Sequence, residues 1–166
     1  HQAGGCMQSF SRGKVMFDNA LHCVGGLDEK GQLYDAFSNL GLIHLPWKRL
    51  DMCCYDEVHI SGKVFSIPQG MMQYTNALKT YFPHQEEGLD AWNEILTSTD
   101  EEWLKQTSAW ETLNSLFTDS LLIQVLSAPA MFKMELRKDT LPLFSLVHGT
   151  TPYIESAWRL QGDGNS

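Results

Sequence analysis

Apolar positions recur along this chain with two different periods, and each change of period marks an element. Lys14 to Asp18 (KVMFD) reads as a short strand after a turn at Arg12-Gly13. Leu33, Ala36, Phe37 and Leu40 follow at helical spacing, with Gly41 where a helix C-terminal glycine belongs. Leu50 to Tyr55 and Glu57 to Ile67 then look β-rich. In the second run, Val58/Ile60 and Phe65/Ile67 alternate around Ser61-Gly62, which predicts a two-residue hairpin turn. Pro68-Gln69-Gly70 breaks the alternation. Met71, Tyr74, Leu78, Tyr81 and Phe82 resume at helical period, and Pro83 ends that helix.

The next stretch predicts two helices. Leu89, Trp92, Ile95 and Leu96 form one apolar stripe. Thr99 with Glu102, and Ser108 with Glu111, each fit the S/T-x-x-E capping box, in which two orphan amides are satisfied reciprocally. The second box opens a helix carrying Leu113, Leu116, Phe117, Leu121 and Val125, expected to end near Ala128-Pro129. Pro142 suits a first helical turn, so 141–148 reads as helix, with LPLFSLV as a strand the alternative. Tyr153 to Leu160 leans to strand. No repeat or low-complexity linker interrupts the pattern. The expected class is α+β: a small, mainly antiparallel sheet with helices.

Composition narrows the possible functions. The 166 residues match one ordinary domain with room for a sizeable core. Twelve Lys+Arg against twenty Asp+Glu leave a net charge of −8, which argues against a nucleic-acid binder needing a basic face. His84 to Glu111 holds eight acids against the single base Lys105, and reads as a solvated face of helices. No run approaches the roughly 18 apolar residues of a membrane span. Neither an initiator Met nor a signal peptide opens the chain, and Gly162-Asp163-Gly164-Asn165-Ser166 closes it, so both ends read as cuts in a longer protein. The cysteines (Cys6, Cys23, Cys53, Cys54) form no C-x-x-C pair and are expected to be small half-buried hydrophobes in a reducing compartment. The expected location is the cytoplasm, with peripheral membrane association as an alternative.

Catalytic motifs are few. The chain has no G-x-S-x-G elbow, no H-E-x-x-H and no G-x-x-x-x-G-K-[ST] loop. No two of its six histidines stand at metal-ligand spacing, so no metal is expected. The glycines are more informative. Gly4-Gly5, Gly13 and Gly25-Gly26 punctuate a run holding Phe17-Asp18 and His22. Such glycines let backbone approach a flat or phosphorylated ligand, or simply turn the chain between short strands.

Taken whole, GGCMQSFSRGKVMFDNALHCVGG resembles the start of the phytoene-dehydrogenase-like flavoproteins, which include carotenoid isomerases, carotenoid desaturases and retinol saturases. Gly4, Gly5, Phe10, Arg12, Gly13, Phe17, Asp18, His22, Gly25 and Gly26 match that family's pattern. Ala20 stands where the family has glycine, and Cys23 where it has tyrosine. VFSIPQGMMQYTNALKTYFP is similar to a family stretch of strand, P-x-G turn and helix. Trp158 to Gly164 is similar to a region with a glycine pair, interrupted by Asp163. The G-x-G-x-x-G motif that seats the FAD pyrophosphate on a helix N-terminus is absent.

The resemblance implies a substrate-domain fragment of an FAD-dependent oxidoreductase or isomerase acting on an apolar polyene or lipid-like substrate. Residues 1–26 would be an FAD-facing segment and 27–166 a substrate-binding domain. Gly4, Gly5, Phe17, Asp18 and His22 would approach FAD, with His22 the one candidate for catalysis. Phe65, Met71, Tyr74 and Leu78 would line the substrate side, and core packing explains their periodicity equally well. FAD belongs to the intact parent, and the isolated chain is expected to bind none. An exposed strand edge at Lys14 to Asp18 invites a homodimer. The alternative is a non-catalytic module that holds an apolar ligand or a protein partner.

Overall fold

The computed structural model describes residues 10–17, 23–134, 137 and 139–161. The chain is α+β and divides into two compact units, His1–Leu50 with Ser156–Ser166, and Asp51–Glu155. Their boundaries differ from a division after residue 26, which concerns cofactor and substrate rather than compactness.

The first unit is strand-rich. β1 (Phe10–Arg12) and β2 (Val15–Phe17) pair antiparallel around Gly13 and Lys14, whose φ values of 58° and 68° suit a two-residue hairpin turn. Phe10 and Phe17 face each other in that register, and their rings stack at 5.3 Å. α1 (Tyr34–Asn39) ends as the sequence predicts, with Gly41 left-handed at φ 71°. β3 (Val24–Gly25), β4 (Trp47–Arg49) and β7 (Ala157–Leu160) form a second sheet in the order β3-β7-β4, all antiparallel. The C-terminal strand is thus the middle of a sheet begun near the N-terminus. Arg49 reinforces it, with its guanidinium 5.4 Å from the Trp158 ring centre and 3.1 Å from the Asp28 carboxylate.

Leu50 to Tyr55 is not a strand. Asp51 accepts the amides of Cys53 and Cys54 at 2.7 and 3.2 Å, and this local bond competes with any ladder. The extended segment lies earlier, at Trp47–Arg49. Cys53 is exposed, against expectation, whereas Cys23 and Cys54 are half-buried.

The second unit opens with the predicted hairpin. β5 (Asp56–Ile60) and β6 (Lys63–Ile67) pair across Ser61 and Gly62, both left-handed. α2 (Met71–Tyr81) and α3 (Glu86–Leu96) follow, then α4 (Glu101–Gln106), α5 (Ala109–Leu116), α6 (Ser120–Met134) and α7 (Leu143–Glu155). α7 is the hub and packs on α2, α3, α4, α5 and α6. Its Leu143, Leu146, Val147 and Ile154 join Phe65, Tyr74, Leu78, Leu89, Trp92 and Leu122 in one continuous core. Gly88 lets α3 close in: a Cβ there would meet the Leu116 carbonyl oxygen at 2.5 Å and the Phe117 ring at 2.9 Å.

Four helix boundaries differ from the sequence reading. Asp100, not Thr99, caps α4, its carboxylate accepting the Trp103 amide at 3.0 Å; both types cap well, and the chain uses the later one. Ser108 caps α5 as predicted, accepting the Glu111 amide. The helix expected to run from there through Val125 breaks at Phe117, which is extended. Asp119 restarts it by accepting the amides of Leu121 and Leu122 at 2.8 and 3.3 Å. α6 passes through Pro129 rather than ending there. α7 likewise runs through Pro152 and takes up Tyr153–Glu155, because burial of Thr151, Pro152 and Ile154 outweighs one lost backbone bond.

Candidate functional site

One concavity among the described residues of the second unit is a cleft of about 30 Å³. The residue pair before and at the start of β5, Tyr55 and Asp56, forms one lip. Val58 of β5, Ile67 of β6 and Tyr74 of α2 form the wall, and Val125, Leu126, Gly149 and Thr150 close it from α6 and α7. The lining is mostly apolar, with a carboxylate, two phenols and one hydroxyl at its margins. Its size decides what it can hold. Ligand pockets that enclose a drug-sized molecule run to about 300–1,000 Å³, roughly tenfold more. As folded, the cleft holds a methyl group or a water rather than a polyene.

The residues assigned to the substrate wall divide accordingly. Tyr74 lines the cleft. Phe65 and Leu78 are 4% and 1% exposed and belong to the core, and Met71 packs half-buried against it. Phe65 stacks on Phe82 at 5.4 Å and meets Tyr81 edge-on at 5.3 Å. The sequence pattern places Val58 and Ile67 on the hairpin that precedes α2, and both line the cleft. That pattern had no means of finding Val125, Leu126, Gly149 and Thr150, which arrive from α6 and α7 through tertiary packing.

Of the residues assigned to the cofactor, Gly4, Gly5, Asp18 and His22 lie outside the described residues. Phe17 lies in β2, 43% exposed, with its ring stacked on Phe10. Among the described residues, no three His, Cys, Asp or Glu side chains converge to hold a metal ion. His148 lies flat on the Phe144 ring at 3.9 Å, with Nδ1 at 3.1 Å from the Phe144 carbonyl oxygen.

Among the described residues, Tyr74 is the titratable group that burial shifts most. Burial drives its phenol pKa far above the usual value; the nearby Trp92 indole opposes this weakly. The phenol therefore stays neutral at physiological pH and cannot serve as a base. A pH dependence follows. Below pH about 10 both folded and unfolded chains keep the proton, and Tyr74 imposes no penalty. Above it the unfolded chain releases a proton that the folded chain holds, so stability should fall by about 1.4 kcal/mol per pH unit from this residue. Urea unfolding from neutral to strongly alkaline pH should show that slope, and Tyr74→Phe should remove it. An unchanged slope in the variant would place the phenol in contact with water.

No protein-family model matches the chain, and a comparison with curated proteins finds no match. Among the described residues no helix is long and apolar enough to cross a membrane.

Proposed function

We propose that this chain is the substrate-side portion of an FAD-dependent oxidoreductase or isomerase acting on an apolar polyene or lipid-like molecule. The observation that carries this reading is the path of the chain. Asp51–Glu155 forms its own compact unit, inserted between β4 and β7 of one small sheet. A substrate domain interposed in a cofactor domain needs that layout: both flanks return to one unit, which also holds the segment resembling a flavin-facing strip. The flavin would supply the redox chemistry, and the protein would orient an apolar substrate and exclude water. Residues 1–26 face the cofactor in this reading, with Gly4, Gly5, Phe17, Asp18 and His22 nearest. Tyr74 marks the substrate side, in a cleft that must widen to admit a polyene. The working compartment is the cytoplasm or a membrane surface facing it, and the edge of β2 is open to a second copy of the chain.

The second reading is a binding module without chemistry, for an apolar ligand or a protein partner. One experiment separates them. The coding region upstream of His1 should contain G-x-G-x-x-G roughly 30–40 residues earlier. Protein extended to include it should purify yellow and change the absorption spectrum of a polyene on turnover, whereas the 166-residue chain alone should be colourless. A colourless extended protein that still binds polyenes would establish the binding module and overturn the enzyme.

A further inference from the structure

The turn that leads into β5 carries two adjacent thiols. Cys53 is exposed, Cys54 is half-buried, and neither is in a disulfide. The turn is held on both sides. Gln69, 1% exposed, donates its amide N–H to the Met52 carbonyl at 2.9 Å and its side-chain amide to the Asp51 carbonyl at 3.1 Å. Beyond the cysteines, the Tyr55 amide donates to the Ile67 carbonyl at 2.9 Å. Between these anchors, one oxygen of Asp51 accepts both cysteine amides. The Cys54 thiol donates to the Asp56 carbonyl at 3.5 Å and lies 3.9 Å from the Glu57 carboxylate. On a strand, neighbouring side chains diverge to opposite faces. On this turn they are free of that constraint, and nothing in the core depends on the Cys53 sulfur.

We propose that Cys53 and Cys54 form a redox-active vicinal dithiol, oxidised by small disulfides and by cationic ones fastest, whose closure resets one lip of the cleft. The proposal is independent of the flavoprotein reading. The chemistry is two exchanges. The Cys53 thiolate attacks a small disulfide R–S–S–R, forming Cys53–S–S–R and expelling R–S⁻, which takes up the proton Cys53 lost. The Cys54 thiolate then attacks the Cys53 sulfur, forming the Cys53–Cys54 bond and releasing a second R–SH. Two thiols are oxidised, one external disulfide is reduced to two thiols, and no other oxidant is needed.

Adjacency makes the second step intramolecular, with no loop to close. It also makes the product strained. Neighbouring Cα atoms are about 3.8 Å apart, below the roughly 4.4–6.8 Å that disulfides prefer, so the bond should reduce readily and act as a switch rather than a staple. Ring closure turns the peptide between the two cysteines, and one Asp51 oxygen can no longer hold both amides. The next two residues, Tyr55 and Asp56, are the lip of the cleft. Charge selects the reagent. The thiols share their turn and strand with the three carboxylates Asp51, Asp56 and Glu57. A diamine disulfide is attracted to that surface, and an anionic one is repelled.

The test uses the reduced full chain, cystamine as the cationic disulfide and oxidised glutathione as the anionic one, with acid quenching, alkylation and peptide mass mapping. Cystamine should yield a 53–54 peptide two hydrogens lighter, with no retained cysteamine, and dithiothreitol should restore it. Cys54→Ser should trap one cysteamine on Cys53; should that variant fail to fold, Cys53→Ser should trap it on Cys54. Cystamine should react about tenfold faster than oxidised glutathione at low salt, the gap closing at high salt. Hydrogen exchange at the Cys53 and Cys54 amides should quicken by about tenfold on oxidation. Stable adducts on both cysteines, or pairing of either with Cys6, Cys23 or a second chain, would overturn the dithiol. Equal rates for the two reagents would overturn the charge preference, and unchanged amide exchange would overturn the effect on the lip.

Discussion

Leu78→Asp should leave the chain insoluble or unfolded. Leu78 is 1% exposed on α2 and is part of the continuous core that includes Trp92, Leu122 and Ile154. Truncating a buried leucine to alanine already costs about 2–5 kcal/mol, and an aspartate adds an unpaired carboxylate that must be protonated or hydrated in place. The total is comparable with the whole stability of a typical domain, about 5–15 kcal/mol. The measurement is the soluble yield of the variant, with Leu78→Ala as the gentler control whose urea midpoint can still be read. A different result would be informative about function. If Leu78→Asp folds with an unchanged melting temperature and loses binding of apolar ligands, then this face of α2 opens to a substrate and is not simply core. The same test applied to Tyr74, which lines the cleft as well as the core, would not separate the two roles.

The elements easiest to read from sequence were those whose own residues specify them. Ser61-Gly62 between two alternating runs gives a two-residue turn wherever it stands, and both residues are left-handed as that turn demands. Met71 to Tyr81 has helical apolar spacing bounded by Gly70 and Pro83, and it forms α2. Errors arose where two local signals competed. Thr99 and Asp100 are equally good caps, and periodicity cannot choose between them. Leu113 to Val125 keeps a helical apolar spacing across Phe117, so the break is visible only in the cap that Asp119 supplies to the next helix. Pro129 reads as a stop because a proline's missing donor is local, whereas the burial that carries α7 past Pro152 is tertiary.

The candidate site was less legible, for a related reason. Val58, Ile67 and Tyr74 could be grouped from one hairpin and the helix after it, but the opposing wall comes from residues at least 50 positions later along the chain. Nor could periodicity tell a pocket wall from a core face, since both select the same apolar residues at the same spacing. What separates Tyr74 from Leu78 is their position relative to α6 and α7. The two cysteines show the converse. The strand expected over Leu50 to Tyr55 would have turned their side chains to opposite faces, and the Asp51 turn removes that restriction.

Trp92 provides the second large expected effect, and it probes the centre of the fold. The side chain is 1% exposed on α3, yet its indole N–H has no hydrogen-bond partner of ordinary geometry. The Tyr74 phenol lies near enough to feel the indole without closing a bond. Trp92→Ala removes the largest fully buried side chain of the core and should cost about 3–5 kcal/mol, since the helices around it cannot collapse into the space. Trp92→Phe behaves differently. It leaves a smaller cavity and removes a buried donor whose unmet hydrogen bond costs about 1–3 kcal/mol in its own right. The two changes oppose each other, so the phenylalanine variant should lose no more than about 1 kcal/mol. Paired urea denaturation curves measure both. If Trp92→Phe costs nearly as much as Trp92→Ala, the indole N–H is bonded, and Tyr74 is its acceptor. A phenol that accepts the indole N–H keeps its own O–H as a donor.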